Sequence, residues 1–196
     1  MSSLPLPLKQ LFNPRLTSLG RLDARANIQG YPDEAALGEA ISPWRLSLDG
    51  DWRFQLVERP EAAPADIKVP GVWTRQDTGD LPHYANWQMP FDCQKPPAVP
   101  EENATGLYRT TIEVPESWQE RKTILHIGGF ESLVLVWCNE VFIGMAKDSR
   151  LPSEFDFSEA LRSGENEVAL MVVRRCAATW IVEKALWRHG GIHRNG

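Results

Sequence analysis

The chain is 196 residues long, 42% hydrophobic and 24% charged, with a formal net charge of −5 at pH 7. That length suits a domain able to bury roughly 70% of its unfolded surface, and the acidic balance argues against a nucleic-acid partner, which favours a basic face. No apolar run approaches the roughly 18 residues that a bilayer-crossing helix needs, so no membrane role is expected.

Residues 1–43 read as an irregular N-terminal arm lying over another surface. The opening MSSLPLPLKQLF has two prolines and no basic segment ahead of its apolar residues, so it does not read as a signal peptide. Proline and glycine recur without sustained periodicity, although DEAALGEAI (33–41) predicts about two helical turns. From Trp44 a period of two takes over. Trp52, Phe54 and Leu56 fall on one face of a strand, with Arg53 and Gln55 on the other.

The segment 75–106 breaks that pattern with five prolines, yet Tyr84, Trp87 and Phe91 argue against disorder. A loop of this length without regular structure is usually functional. Tyr108, Thr110, Ile112 and Val114 then alternate again and stop at Pro115. Residues 124–127, 133–137, 141–143 and 168–173 are predicted strands, with Asn139-Glu140 as a two-residue turn. After the polar loop 147–156, a short helical turn is capped by Asp156 or Ser158 and closed by Gly164. Short strands with this punctuation and no long amphipathic helix predict an all-β fold. The expected form is an antiparallel jelly-roll sandwich from about residue 44 to 175, within one domain spanning 44–196. Its core should hold Trp52, Phe54, Tyr108, Ile112, Trp137 and Leu170.

The residues with chemical potential read mostly as structural. Cys93, Cys138 and Cys176 cannot all pair and show no CxxC spacing, which predicts structural thiols in a reducing, cytoplasmic setting. Asn103-Ala104-Thr105 is a glycan sequon with no secretory context to use it. Glu101/Glu102 and Glu154/Glu159 stand in a Pro-rich loop and near a capped turn, so they read as solvated or capping carboxylates rather than a catalytic dyad. His189 and His193 have the i, i+4 spacing of a helical metal pair. Gly190-Gly191 between them disfavours a helix by about 1 kcal/mol per glycine, and a tight turn is expected instead. No catalytic residue and no metal site is expected in this chain.

KDSRLPSEFD (147–156), preceded by WCNEVFIG (137–144) and followed by SGEN (163–166), carries a resemblance. In wording and order it resembles the N-terminal sugar-binding domain of bacterial β-galactosidases in glycoside hydrolase family 2. LDGDWRF (48–54), VPGVW (69–73), YANWQMPF (84–91), VPEENATGLY (99–108) and LWRHGGIHR (186–194) complete the series. Several such strings in order over roughly 150 residues are far more specific than any one alone.

The resemblance implies a non-catalytic, galactose-binding-like domain that shapes the sugar pocket of a TIM barrel. The barrel's two catalytic glutamates would lie outside this chain, and the full enzyme would be a homo-oligomer. It implies that Asn86 reaches the barrel's mouth, where its amide both donates to and accepts from a galactoside-type sugar. The parent family often uses Mg and Na ions. Within WIVEKALW (180–187), Ala185 stands where the family carries an aspartate that contacts the sugar and a monovalent cation. A methyl group can do neither; only Glu183 remains acidic, with Lys184 beside it.

Two other readings share the motifs: a free-standing carbohydrate-binding module, and a relative acting on glucuronides or mannosides. The resemblance also turns 75–106 and 176–196 toward the barrel. Trp87, Met89, Phe91, Trp180, Leu186 and Trp187 should then form an apolar patch.

Overall fold

The structure is a computed structural model that describes residues 8–26, 28–39, 41–57, 65–85, 95–182 and 186–194. Its strands are β1 (Ser18–Leu19), β2 (Gly50–Val57), β3 (Ala65–Val69), β4 (Gly71–Val72), β5 (His83–Ala85), β6 (Thr105–Val114) and β7 (Ile124–Ile127). There follow β8 (Gly129–Glu131), β9 (Leu133–Cys138), β10 (Val141–Ala146), β11 (Ser153–Asp156), β12 (Gly164–Val173), β13 (Leu186–Arg188) and β14 (Gly191–Arg194). Every pairing between them is antiparallel. The main sheet runs β1-β10-β9-β12-β6-β2-β3, and smaller sheets are formed by β11-β7, β4-β14-β8 and β13-β5. The all-β sandwich expected from the alternation is therefore the fold observed.

The core follows from which face each strand turns inward. Trp52, Phe54, Tyr108, Val136 and Leu170 of the main sheet form one buried cluster with Leu125, Ile127, Phe130, Phe155 and Ile192 of the smaller sheets. Tyr108 meets Phe54 edge-on at 4.9 Å between ring centroids, an arrangement that aromatic quadrupoles favour. Trp137 is also buried, but on the opposite face of the main sheet. Ile112 departs from expectation: it is only half-buried, at the edge of the cluster, and lines a cavity.

All six positions of β9 are buried, which a strand achieves only when both faces are covered. The second cover comes from the arm. Leu11 packs with Leu133, Leu135, Trp137 and Met145, with Phe12 and Leu16 beside them. Backbone and side-chain bonds then strap the arm down. β1 pairs with β10, Leu22 N–H donates to Glu154 O (2.9 Å), and Lys147 Nζ donates to Asn13 O (2.8 Å). The surface under the arm is thus the chain's own sheet. Where 33–41 is expected to give two helical turns, the described residues of that stretch form a single 3-10 turn (Ala35–Gly38) whose Ala36 N–H is capped by Asp33 Oδ1 (2.9 Å).

The hairpin turn falls where the sequence places it. Asn139 and Glu140 have φ of 48° and 67°, the left-handed pair that a two-residue turn of primed type requires. Asn139 Nδ2 donates to Asn166 Oδ1 (2.7 Å), and Asn166 Nδ2 donates to Arg162 O and Gly164 O (both 2.7 Å). The SGEN turn is thereby pinned to the hairpin. Before it, Asp156 Oδ1 accepts from Ser158 N–H (3.0 Å) in a turn, rather than capping a helix. Glu140 is the misfit, since a left-handed conformation costs a side-chain-bearing residue about 1–2 kcal/mol. Glu140→Gly should raise stability by roughly 0.5–1 kcal/mol; an unchanged or lower urea midpoint would contradict this.

Candidate functional site

The site is built on the short ladder between β5 and β13, in which Leu186 pairs with Ala85, Trp187 with Tyr84 and Arg188 with His83. Asn86 and Ala185 lie outside the described residues. Asn86 directly follows Ala85, and Ala185 directly precedes Leu186. Both connections toward these positions therefore leave from one end of the same ladder.

A buried ion pair fixes that ladder to the core. Arg174, immediately after β12, donates to the Asp80 carboxylate, to Leu81 O (2.8 Å) and to Arg188 O (3.2 Å). The other Asp80 oxygen accepts from Trp73 Nε1 (2.7 Å), and Trp73 is completely buried. A guanidinium presents several donors in a rigid fork, so one side chain can bind the chain leading into β5 and the end of β13 at once. Trp73 in turn receives the next turn of chain: its backbone N–H donates to Gly190 O (2.9 Å). Asn103 grips the end of β12 from outside, accepting from Arg175 N–H (3.0 Å) and donating to Arg175 O (2.8 Å). Its amide is a backbone clamp.

Two histidines lie near the ladder. His189 Nδ1 lies 3.2 Å from Thr74 Oγ1, and His193 stands beyond the Gly190-Gly191 turn at the start of β14. Burial, then Arg194 and Arg150, lower the pKa of His193 below 6.5; burial, then Arg174 and Arg175, do the same for His83. A base whose folded pKa is depressed stabilises the fold above its unfolded value and loses that contribution as pH falls through the folded value. Stability should therefore decline as pH drops from neutral through and below about 6.5. Imidazole NMR titrations should place both midpoints under the free-histidine value; a midpoint at or above it for His193 would contradict the assignment.

Two expectations need correction or extension. Glu154 is neither solvated nor a cap: it is buried, with Oε2 accepting from Arg25 Nε (2.8 Å), Oε1 from Arg25 Nη2 (3.1 Å) and His126 Nδ1 3.1 Å away. Arg25 and His126 are far from Glu154 in sequence, so no local spacing announces the cluster. Trp180 is half-buried, its Nε1 donating to Ala98 O (2.6 Å). Trp87, Met89 and Phe91 lie outside the described residues, but Leu81, Tyr84 and Ile181 are strongly exposed. Cys138 and Cys176 are buried free thiols, and burial pushes Cys138 up to about 11; Cys93 lies outside the described residues.

The molecule is an antiparallel β-sandwich domain. The model of the glycosyl hydrolases family 2 sugar-binding domain matches residues 46–196, and the chain belongs to that family. A β-galactosidase of Erwinia tasmaniensis is 38% identical over 211 residues, covering 97% of this chain and 20% of that protein. A β-galactosidase of Psychromonas ingrahamii is 36% identical over 197 residues, with 93% and 19% covered. The chain thus spans about a fifth of the length of these curated relatives. Among solved structures, a β-glucuronidase from Ruminococcus gnavus superimposes with a TM-score of 0.54 at 19% identity, covering 76% of this chain and 28% of that one. A β-glucuronidase from an uncultured Clostridium gives 0.53 at 18%, covering 76% and 27%. At such identities these two show the shared fold.

Proposed function

We propose that the chain serves as the non-catalytic sugar-binding domain of a β-galactosidase-type glycoside hydrolase, forming one wall of the substrate pocket of a catalytic barrel. The observation that carries this is the identity of 38% along nearly the whole chain to a β-galactosidase about five times its length. In this reading Asn86 bonds a galactosyl hydroxyl, and exposed Leu81, Tyr84 and Ile181 face the barrel. The enzyme works as a homo-oligomer in a reducing, cytoplasmic compartment.

The cation contact implied by the resemblance does not fit the side chain at 185: alanine supplies no side-chain oxygen there, and among the described residues no group of three or more His, Cys, Asp or Glu could hold a metal ion.

The 196-residue chain should hydrolyse no galactoside, because retaining chemistry needs two carboxyls about 5–5.5 Å apart across a bound sugar. The natural polypeptide that carries this domain should cleave o-nitrophenyl β-galactoside in preference to the glucuronide. Asn86→Ala in that enzyme should raise KM at least tenfold, about 1.4 kcal/mol of lost binding. A preference for the glucuronide, or turnover by the chain alone, would defeat the proposal. Tight galactose binding by the chain alone would favour a free-standing module.

A further inference from the structure

Between the N-terminal arm and the end of the sandwich lies a cavity of about 620 Å³, within the range of small-molecule sites. Its floor is apolar, formed by Leu48, Ile112, Leu125, Phe157 and Leu161, with half-exposed Trp44 also in its lining. The charges around it are one-sided. Arg25, Arg45, Arg121 and Lys122 line it with a single carboxylate, Glu154; Arg25 pairs with Glu154 and Lys122 with Asp156 outside the lining (3.4 Å), which leaves Arg45 and Arg121 as the excess positive charge. On a chain of net charge −5 this is a local reversal of sign, and such a cavity concentrates anions.

The cation best placed to bind one is Arg121. Its guanidinium lies 4.7 Å from the centroid of the Trp44 ring, and its Nε donates to Ser117 O (3.3 Å). The terminal nitrogens of Arg121 have no partner among the described residues. An arginine so stacked is pre-oriented for a two-pronged bond to a carboxylate, with an aromatic wall beside it.

We propose that this cavity binds a small organic carboxylate with a flat apolar body, the acid group on Arg121 and the body over the apolar floor beside Trp44. The ligand is distinct in class from a galactoside, which is neutral, and the cavity shares no residue with the β5–β13 ladder.

The test titrates 2-naphthoate into the 196-residue chain at pH 7, with 2-naphthol as a neutral comparator of the same shape. Calorimetry should show the acid binding at least tenfold tighter than the phenol. Arg121→Gln and Trp44→Ala should each weaken the acid at least tenfold, whereas Arg53→Gln, an exposed arginine outside the cavity, should not. In the unsubstituted chain, methyl NMR signals of Leu48, Ile112 and Leu161 should move on titration, and that of Leu81 should not. Equal affinities for acid and phenol, no saturation at millimolar naphthoate, or methyl shifts confined to Leu81 would each overturn the proposal.

Discussion

Arg174→Ala should cost about 3–5 kcal/mol of folding stability, the penalty typical of removing one partner from a buried ion pair. The size follows from what is left behind. Asp80 would keep its bond from Trp73 Nε1 but lose the charge that faces it, while Leu81 O and the carbonyl of buried Arg188 would each lose a donor. Arg174→Lys should recover only part of the loss, because one ammonium cannot reproduce the fork that reaches three acceptors. A double variant, Asp80→Asn with Arg174→Met, should be less damaging than the sum of the two single changes, since it strands no charge. Urea unfolding gives the energies, and hydrogen exchange should show the β5–β13 ladder opening first. A loss under 1 kcal/mol in the alanine variant, with that ladder still protected, would refute the assignment.

Gly190→Ala should destabilise by about 3 kcal/mol, at the upper end of typical overpacking costs. A Cβ at Gly190 would lie 2.3, 2.5 and 2.9 Å from three ring atoms of Trp73. The ring has no room to retreat. Its Nε1 is tied to Asp80, Phe54 packs at 6.0 Å, and on another side Gly106 gives it the same close passage, where an added Cβ would come within 2.9 Å. Two glycines thus make a slot for one tryptophan. In a Trp73→Leu background the added cost of Gly190→Ala should fall below about 1 kcal/mol, because the clash is specific to the large ring. Thermal and urea midpoints read both variants; an alanine at 190 that leaves them unchanged would show that the slot is looser than these distances imply.

What could be read in the sequence was what depends on near neighbours. Alternation in β2 and β6, the Asn139-Glu140 turn and the apolar run of β9 are local signals, and each produces its element. Local helix signals at 33–41 and around Asp156 gave only single turns, and the other failures involve partners distant in sequence. The string LVLVWC identifies a strand but not the cover on its second face, because Leu11 lies more than a hundred residues earlier. Glu154 reads as one of several acidic residues until Arg25 and His126 are folded onto it. Asp80 and Arg174 are separated by 94 positions and carry no motif of their own. Ile112 keeps the right phase along β6 yet faces a cavity rather than packed atoms. Asn86 is a candidate for a sugar contact only through resemblance, since an asparagine in a Pro-rich loop has many ordinary uses.

The arm's position has a consequence for how the domain survives in a crowded solution. β10 is a strand of six residues whose outer edge is paired, among the described residues, only by the two residues of β1. Peeling the arm away would bare that edge together with the apolar side chains of Leu133, Leu135 and Trp137. An open strand beside a greasy face is the template on which other chains add and aggregates grow. The irregular N-terminal segment therefore acts as a guard on a sticky flank, and a proteolytic nick within 18–25 would turn a well-behaved domain into one that precipitates.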